Sequence, residues 1–128
     1  MIVKDNQINV LIVDDQECIR ESMSYILGEL GFTPEEANNG KEALDKISQN
    51  RPDIIILDVV MPVMDGIETC KRLRENPDTR NMPIIFLSGQ AHVDQMISGI
   101  PGPAIKCMEK PCNIEYLAEQ IYSAILNS

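Results

Sequence analysis

Polar side chains that could do chemistry follow four apolar runs of the sequence. Asp14 and Asp15 come directly after "INVLIV", and Asp58 comes after "DIIIL". Ser88 follows "PIIFL", and Lys110 follows "AIKCME". Taken singly, each residue has an ordinary explanation, such as an aspartate that caps a helix or opens a turn. If the four runs are strands of one parallel sheet, their carboxyl ends meet at one edge and the five side chains lie close together.

Three of these side chains are carboxylates, and such a cluster calls for a cation. Two carboxylates about 4 Å apart repel each other by roughly 4 kcal/mol at an effective dielectric constant of about 20, and a third adds to this. Oxygen donors without a nearby thiolate or imidazole favour a hard ion, and a site that keeps several waters suits Mg²⁺ better than Ca²⁺. Lys110 adds a positive charge for a dianionic phosphoryl group, and Ser88 offers a hydroxyl to one of its oxygens. The pattern predicts metal-assisted phosphoryl transfer to a carboxylate nucleophile.

The elements that must position these side chains are indicated by the spacing of apolar residues. Runs without alternation, at residues 8–13, 53–57 and 83–87, are typical of strands covered on both faces of a parallel sheet. Two weaker strands are predicted at 33–37 and 104–109. Pro34 cannot donate a ladder hydrogen bond, so the strand that contains it is expected at a sheet edge.

Segments with helical spacing lie between the strands. One contains Ile19, Met23, Ile26, Leu27 and Leu30 and stops at Gly31, a natural C-terminal cap. Others are predicted at 40–49, at 66–75 and, after Asn113 as N-cap, at about 113–126. With one more helix between the last two strands, five strands alternate with five helices. This alternation predicts an α/β, doubly wound fold with right-handed crossovers.

Length and composition limit the possible functions. The 128 residues suit one compact domain, 1–128. The net charge of −9 argues against direct binding to nucleic acid or to an anionic membrane. Neither a secretory signal nor a membrane-spanning run is evident, so a cytoplasmic location is expected. The four cysteines and one histidine lack the spacing of a zinc site, so the cysteines are interpreted as reduced thiols.

Several motifs, taken together, resemble the receiver domains of two-component response regulators. They are "VLIVDDQ" (10–16), "ANNGKEAL" (37–44), "PDIIILDVVMPVMDGIE" (52–68), "PIIFLSG" (83–89) and "EKP" (109–111). The resemblance covers nearly the whole chain. It implies a flavodoxin-like (CheY-like) fold with a five-stranded parallel sheet in the order 2-1-3-4-5 and five helices.

The resemblance also implies roles for the residues that take part in phosphoryl transfer. Asp58 would be the phosphoacceptor, taking the phosphoryl group from a phosphohistidine of a sensor histidine kinase or histidine phosphotransfer protein. Ser88 and Lys110 would each bind one of the phosphoryl oxygens. The Lys110–Pro111 peptide is expected to be cis, because X-Pro is the bond at which cis costs least. The chain would then be a signalling switch that catalyses its own phosphorylation and slow dephosphorylation, and that acts on a downstream output domain or protein.

A metal site is implied in the same way. Asp15 and Asp58 would bind Mg²⁺, or Mn²⁺, directly, and Asp14 largely through water. The backbone carbonyl of Val60 would complete the protein ligands.

The sequence departs from the receiver pattern at a few positions. Receivers usually carry Tyr or Phe three residues before the lysine, but this chain has Cys107, so output is not expected to run through the usual aromatic switch. Cys112 likewise replaces the usual aromatic residue after Lys-Pro. Val60 and Gln90, which would flank the phosphoryl group, are expected to tune the lifetime of the aspartyl phosphate.

Two other classes of protein share part of this pattern. A haloacid-dehalogenase-like phosphatase also uses an aspartate nucleophile and Mg²⁺, but it needs a second aspartate where this chain has Val60. A flavodoxin-like FMN carrier would need a hydroxyl- and Gly-rich phosphate loop after the first strand, where this chain has "DDQE". Both a stand-alone receiver and a receiver within a longer regulator fit the sequence.

Overall fold

The computed structural model describes residues 7–89, 105–110 and 113–126. These ranges contain five strands: β1 (Asn9–Val13), β2 (Thr33–Ala37), β3 (Ile54–Asp58), β4 (Ile84–Ser88) and β5 (Ile105–Glu109). They also contain four helices: α1 (Glu17–Glu29), α2 (Gly40–Gln49), α3 (Gly66–Glu75) and α4 (Ile114–Leu126). The further helix expected between β4 and β5 falls on residues 90–104, outside the described ranges.

The five strands form one parallel sheet in the order β2-β1-β3-β4-β5, as predicted. The order reverses between β1 and β3, because β1 pairs with β2 on one side and with β3 on the other. The loops that leave these two strands therefore diverge and leave a crevice at the carboxyl ends of the strands. This is where the sequence places its aspartates.

Helices cover both faces of the sheet, which explains the continuous apolar runs. On one face, α2 and α3 pack against the sheet through residues such as Ala43 and Leu73. On the other face, α1 and α4 pack through residues such as Leu27 and Ile121. Every residue of β3 and β4 is buried, and full burial of each large apolar side chain contributes about 1.5–3 kcal/mol. The core therefore fixes the strand ends relative to one another.

The edge position predicted from Pro34 is confirmed, since β2 is an outer strand of the sheet. β2 pairs with β1 alone, with Pro34 opposite Val10. Its burial alternates along most of its length, unlike that of the central strands. A strand with one neighbour can contain a proline because its outward N–H positions need no ladder partner.

The helical spacing predicted for α1 is correct, but fewer of its apolar residues are buried than the pattern suggests. Met23 and Leu27 are buried, whereas Ile19, Ile26 and Leu30 are each about two-fifths exposed. The helix ends as predicted: the following glycine has a φ of 101° and donates its N–H to a carbonyl of the last turn. An apolar strip along α1 therefore faces outward.

Side-chain caps begin the other helices. The Asp65 carboxylate accepts from the Glu68 N–H (2.8 Å) at the start of α3. Asn113 accepts from the Tyr116 N–H (3.0 Å) at the start of α4, which confirms the predicted N-cap. A capped α3 fixes where the loop after β3 must end.

Gly66, the first residue of α3, lets this loop close tightly on the end of β3. A Cβ at Gly66 would lie 2.2 Å from the backbone carbonyl oxygen of Asp58. A Cβ at Gly28, within α1, would meet only the Pro34 ring, at 3.9 Å. The two glycines are therefore in helices but differ in the space around them.

We expect Gly66→Ala to lower the free energy of unfolding by about 1–3 kcal/mol, because backbone atoms must move to admit the methyl group. Gly28→Ala should raise it by up to about 1 kcal/mol through helix propensity. Urea denaturation followed by far-UV circular dichroism measures both. Equal stability of Gly66→Ala and wild type would contradict the close approach.

Candidate functional site

The structure brings the three predicted carboxylates together. Val13 and Leu57 are paired in the parallel ladder, so Asp14 and Asp58 leave neighbouring strands at the same level. Oxygen atoms of Asp14, Asp15 and Asp58 all lie within 4.8 Å of one another. Asp14 and Asp58 are buried, while Asp15 is exposed at the mouth of the cluster. The spacing leaves room for a single ion between the three side chains.

Asp14 is held by hydrogen bonds on every side. Its Oδ1 accepts from the Gln16 N–H (2.9 Å), and its Oδ2 accepts from Lys110 Nζ (2.7 Å). Its own N–H donates to the carbonyl of Ala37 (3.2 Å). The N-cap of α1 is Gln16, which has no side-chain capping bond. The ordinary explanation, an aspartate that caps α1, therefore does not account for Asp14.

Lys110 follows the outer strand β5 and reaches the carboxylates from that side of the sheet. Its backbone N–H donates to the carbonyl of Ser88 (2.9 Å), which holds the end of β5 against β4. Its ammonium then lies 2.7 Å from Asp14 and 3.3 Å from Asp58, measured to one carboxylate oxygen of each. The side chain thus bridges two of the three acids.

The electrostatics of the cluster are unbalanced. Burial alone would lower the pKa of Lys110, but the hydrogen bond to Asp14 and the charges of Asp14 and Asp58 outweigh it and raise that pKa. Burial raises the pKa of Asp58; the attraction of Lys110 opposes this, while Asp14 and Asp15 add to it, and the pKa stays above its usual range. One ammonium faces three carboxylates, so the site still carries net negative charge. A divalent cation would relieve this.

Ser88 ends β4 on the same edge. Asp58 pairs with Leu87 in the ladder, so Ser88 lies one residue beyond the neighbour of Asp58. Ser88 is buried. The serine is thus placed beside the acids, as the sequence predicts.

The loop after β3 carries Val60 and returns sharply to α3. Its ends are joined by a hydrogen bond from the Gly66 N–H to the Val59 carbonyl (2.9 Å). The side chain of Val60 is more than half exposed, while Val59 is buried. The position two residues after Asp58 is therefore accessible, and an apolar side chain occupies it.

Val63 makes a strained turn in this loop. Its φ is 70°, and the Met64 N–H donates to the Pro62 carbonyl (2.8 Å), which is the pattern of a classic γ-turn. The carbonyl of Met64 accepts from the Gly40 N–H (3.2 Å) at the start of α2. A β-branched residue at positive φ is a genuine outlier, and this one is 78% exposed, so little packing offsets the strain.

The remaining predicted positions fall partly outside the described ranges. Cys107 lies in β5 opposite Phe86 and packs, partly buried, against the core on the α2 and α3 face. Gln90, Pro111 and Cys112 lie outside the described residues, as does the predicted cis peptide that precedes Pro111.

Sequence reasoning missed Arg20. Its guanidinium Nη1 donates to the backbone carbonyl of Asp14 (2.8 Å), and its Nε pairs with Glu36 (2.8 Å). One signal was present: Arg20 precedes Met23 and Leu27 by three and seven residues, which puts a charge on the buried stripe of α1. A charge in that position requires partners, and one of them here, Asp14, belongs to the site.

The fold and the site define a doubly wound α/β protein whose crevice, at the switch point of the sheet, is lined by three carboxylates and one bridging lysine. Residues 10–122 match the family model of the response regulator receiver domain. The chain therefore belongs to this family of receiver domains. These matches give no support to the haloacid-dehalogenase alternative.

Comparisons with individual proteins agree with this family assignment. The chain is 39% identical over 110 residues to Response regulator MprA of Mycobacterium sp. (strain KMS), across 86% of this chain and 47% of that protein. It thus spans about half the length of the curated relatives it matches. Chemotaxis protein CheY4 of Vibrio cholerae is similar in structure, with a TM-score of 0.84 and 34% identity over 92% of this chain and 98% of that one.

A second solved structure is the signal receiver domain of a signal transduction histidine kinase from Syntrophus aciditrophicus. Its TM-score is 0.83 at 33% identity, over 94% of this chain and 91% of that one.

Among the described residues, none of the helices has the length and apolar character needed to span a membrane.

The raised pKa of Asp58 predicts a stability change for Asp58→Asn in metal-free buffer. The folded protein holds the Asp58 proton more tightly than the unfolded chain does, so this residue makes the free energy of unfolding fall as pH rises from about 4 through the raised pKa. The variant should therefore melt a few degrees higher at neutral pH, since about 1 kcal/mol corresponds to roughly 3–6 °C here. The gain should shrink in acid; a pH-independent difference would exclude titration of Asp58 as the cause. Calorimetric melting with EDTA measures it.

The strain at Val63 predicts that Val63→Asn stabilises the protein, because asparagine tolerates positive φ and valine does not. We expect a gain of about 1 kcal/mol in the free energy of unfolding. Val60→Asn is the matched control, an exposed valine of the same loop without positive φ, and should change stability by less than about 0.5 kcal/mol. Equal effects of the two substitutions in urea denaturation would refute the strained turn.

Proposed function

We propose that Asp58 accepts a phosphoryl group from a phosphohistidine of a sensor histidine kinase or histidine phosphotransfer protein. The observation that carries this proposal is the Lys110 ammonium between Asp14 and Asp58, at the crevice of the sheet. A carboxylate oxygen of Asp58 attacks phosphorus, and the phosphorus–nitrogen bond of the donor breaks. Its electron pair returns to the imidazole, which is the leaving group.

The donor set of the site fits Mg²⁺. All three acidic side chains supply oxygen, these oxygens lie within 4.8 Å of one another, and no cysteine or histidine joins the cluster among the described residues. Asp15, Asp58 and the carbonyl of Val60 would hold the ion directly, and Asp14 largely through water; Mn²⁺ would fit the same donors. Bound Mg²⁺ would neutralise charge that develops on the phosphoryl oxygens.

Lys110 and Ser88 complete the proposed pocket. The Lys110 ammonium, already 3.3 Å from an Asp58 oxygen, would bind one phosphoryl oxygen. The Ser88 hydroxyl would bind another, since this residue ends the neighbouring strand. Lys110 and Ser88 would act by binding the phosphoryl oxygens. Neither would need to remove a proton from Asp58, because Asp58 would react as a carboxylate.

The phosphoryl group would work as a switch because it adds about two negative charges and three acceptor oxygens. These would draw Ser88 and Lys110 inward, and both residues connect directly to β4 and β5. Cys107, in the middle of β5, has no ring to turn inward when β5 shifts. We therefore propose that output passes through the strand backbone and its neighbouring surface.

An apolar cleft beside Lys110 supports a protein as phosphodonor. It lies between α1 and the start of α4 and is lined by Ile19, Met23, Ile26 and Ile114. Ile19 and Ile26, from the outward apolar strip of α1, form part of one wall. We propose that the donor packs against this strip while its phosphohistidine enters the crevice. Because the curated relatives extend beyond the matched segment, output through a further domain is part of the proposal.

Incubation with acetyl phosphate and Mg²⁺, followed by intact mass measurement, tests Asp58 directly. We expect one added phosphoryl group on wild type, little on Asp58→Asn, and little on wild type with EDTA. Asp53→Asn is the matched control. Asp53 lies just before the first residue of β3, at the end of the strand away from the site, and its carboxylate accepts from the Asn9 N–H. It should label like wild type. Equal labelling of Asp58→Asn and wild type would remove Asp58 from its proposed role.

Lys110→Met should still bind Mg²⁺ but should take up phosphate on the order of 100-fold more slowly, because one charged contact to the transferring group is lost. The rate of mass increase at fixed acetyl phosphate measures this. An unchanged rate would show that the Lys110 ammonium does not contact the phosphoryl group during transfer.

A further inference from the structure

Arg20 joins three separate segments around the base of the acidic cluster. Its Nη1 donates to the backbone carbonyl of Asp14 (2.8 Å) and to the side-chain oxygen of Asn38 (3.3 Å). Its Nε donates to a carboxylate oxygen of Glu36 at 2.8 Å. The three segments are α1, the end of β1, and the end of β2 with the loop that follows it, and one guanidinium ties them together.

This ion pair differs from the ordinary surface pair that the chain also contains. Arg72 and Glu68 on α3 have the same Nε-to-carboxylate geometry, at 3.0 Å, but both side chains are about half exposed. The Arg20 side chain is 12% exposed and has two further acceptors. Exposed pairs of the first kind contribute little, whereas a largely covered fork with several acceptors restrains the groups it contacts.

The contact with the Asp14 carbonyl bears on the metal site through the backbone. The Asp14 carbonyl accepts from Arg20, and the Asp14 N–H donates to the carbonyl of Ala37. Its carboxylate accepts from the Gln16 N–H and from Lys110, so these contacts together restrain Asp14 from turning. Asp15 follows immediately, and within the described ranges no hydrogen bond or ion pair holds its carboxylate, so its direction depends on the backbone of Asp14.

We propose that Arg20 is a positioning residue for the metal site: it orients the Asp14–Asp15 segment so that both carboxylates face Asp58. This inference rests on the proposed function, because the positioned groups are the proposed metal ligands. Arg20 itself is neither a proposed metal ligand nor a proposed contact of the phosphoryl group.

The sign of the effect separates positioning from simple charge. Arg20 is a cation near the cluster, so its removal would strengthen Mg²⁺ binding if only long-range electrostatics mattered. If Arg20 positions the ligands, its removal weakens binding, and loss of such an outer contact raises a metal dissociation constant on the order of 10-fold. The two roles therefore predict opposite changes.

The experiment titrates Mg²⁺ into the metal-free, unphosphorylated full chain and follows the amide shifts by NMR. We expect Arg20→Ala to raise the Mg²⁺ dissociation constant on the order of 10-fold. Arg20→Lys keeps the charge but offers no fork, so it should also weaken binding. Glu36→Gln keeps the Arg20 donor to the Asp14 carbonyl, so it should change the Mg²⁺ dissociation constant less than either Arg20 variant. Arg72→Ala is the matched control and should bind like wild type.

Amide exchange in the absence of metal provides a second measurement. In Arg20→Ala and Arg20→Lys, the Asp14 and Gln16 amides should exchange faster than in wild type, while Ile55 and Ile56 in the central strand should not. Wild-type affinity in both Arg20 variants, or tighter binding, would overturn the inference while leaving the proposed function intact. Failure of wild type to bind Mg²⁺ would overturn the proposed function and this inference with it.

Discussion

The crowding of three carboxylates, with one ammonium between two of them, is the constraint on which the rest of the structure depends. Asp58 reaches its position only because a fully buried strand ends on it, and burial opposes its charge. Lys110 compensates in part, with its shorter contact to Asp14 and its longer one to Asp58. The remaining negative charge is a cost to the folded protein, and it makes the crevice suited to a divalent cation.

The parallel sheet makes this crowding possible. Residues 14, 58, 88 and 110 are far apart in sequence, but the parallel ladder places the ends of β1, β3, β4 and β5 along one edge. The two helix layers bury both faces of the sheet, so the strands cannot slide without exposing their apolar side chains. Core packing thus fixes acidic groups that would otherwise move apart.

Backbone contacts, more than side-chain caps, shape the loops around the crevice. Gly66 allows α3 to start against the carbonyl of Asp58, and the strained turn at Val63 is held from α2 through Gly40. Arg20 binds the carbonyl of Asp14 from α1. Each of these contacts crosses between elements, so the geometry of the site depends on how the helices sit on the sheet. Little packing surrounds the exposed Val63 side chain, so the strain in this turn is maintained by backbone hydrogen bonds to neighbouring elements.

The sequence by itself determined the strands, the order of elements along the chain and the polar residues at the carboxyl ends of the strands. It could do so because apolar runs, Pro34 and the Asp and Lys motifs are local signals. It also determined the family, through motifs that cover nearly the whole chain. Only the tertiary structure decided that Asp14 is not a helix cap, that Lys110 lies nearer to Asp14 than to Asp58, and that Arg20 belongs to the site. Those facts are distances between residues on different elements, and no local pattern encodes them.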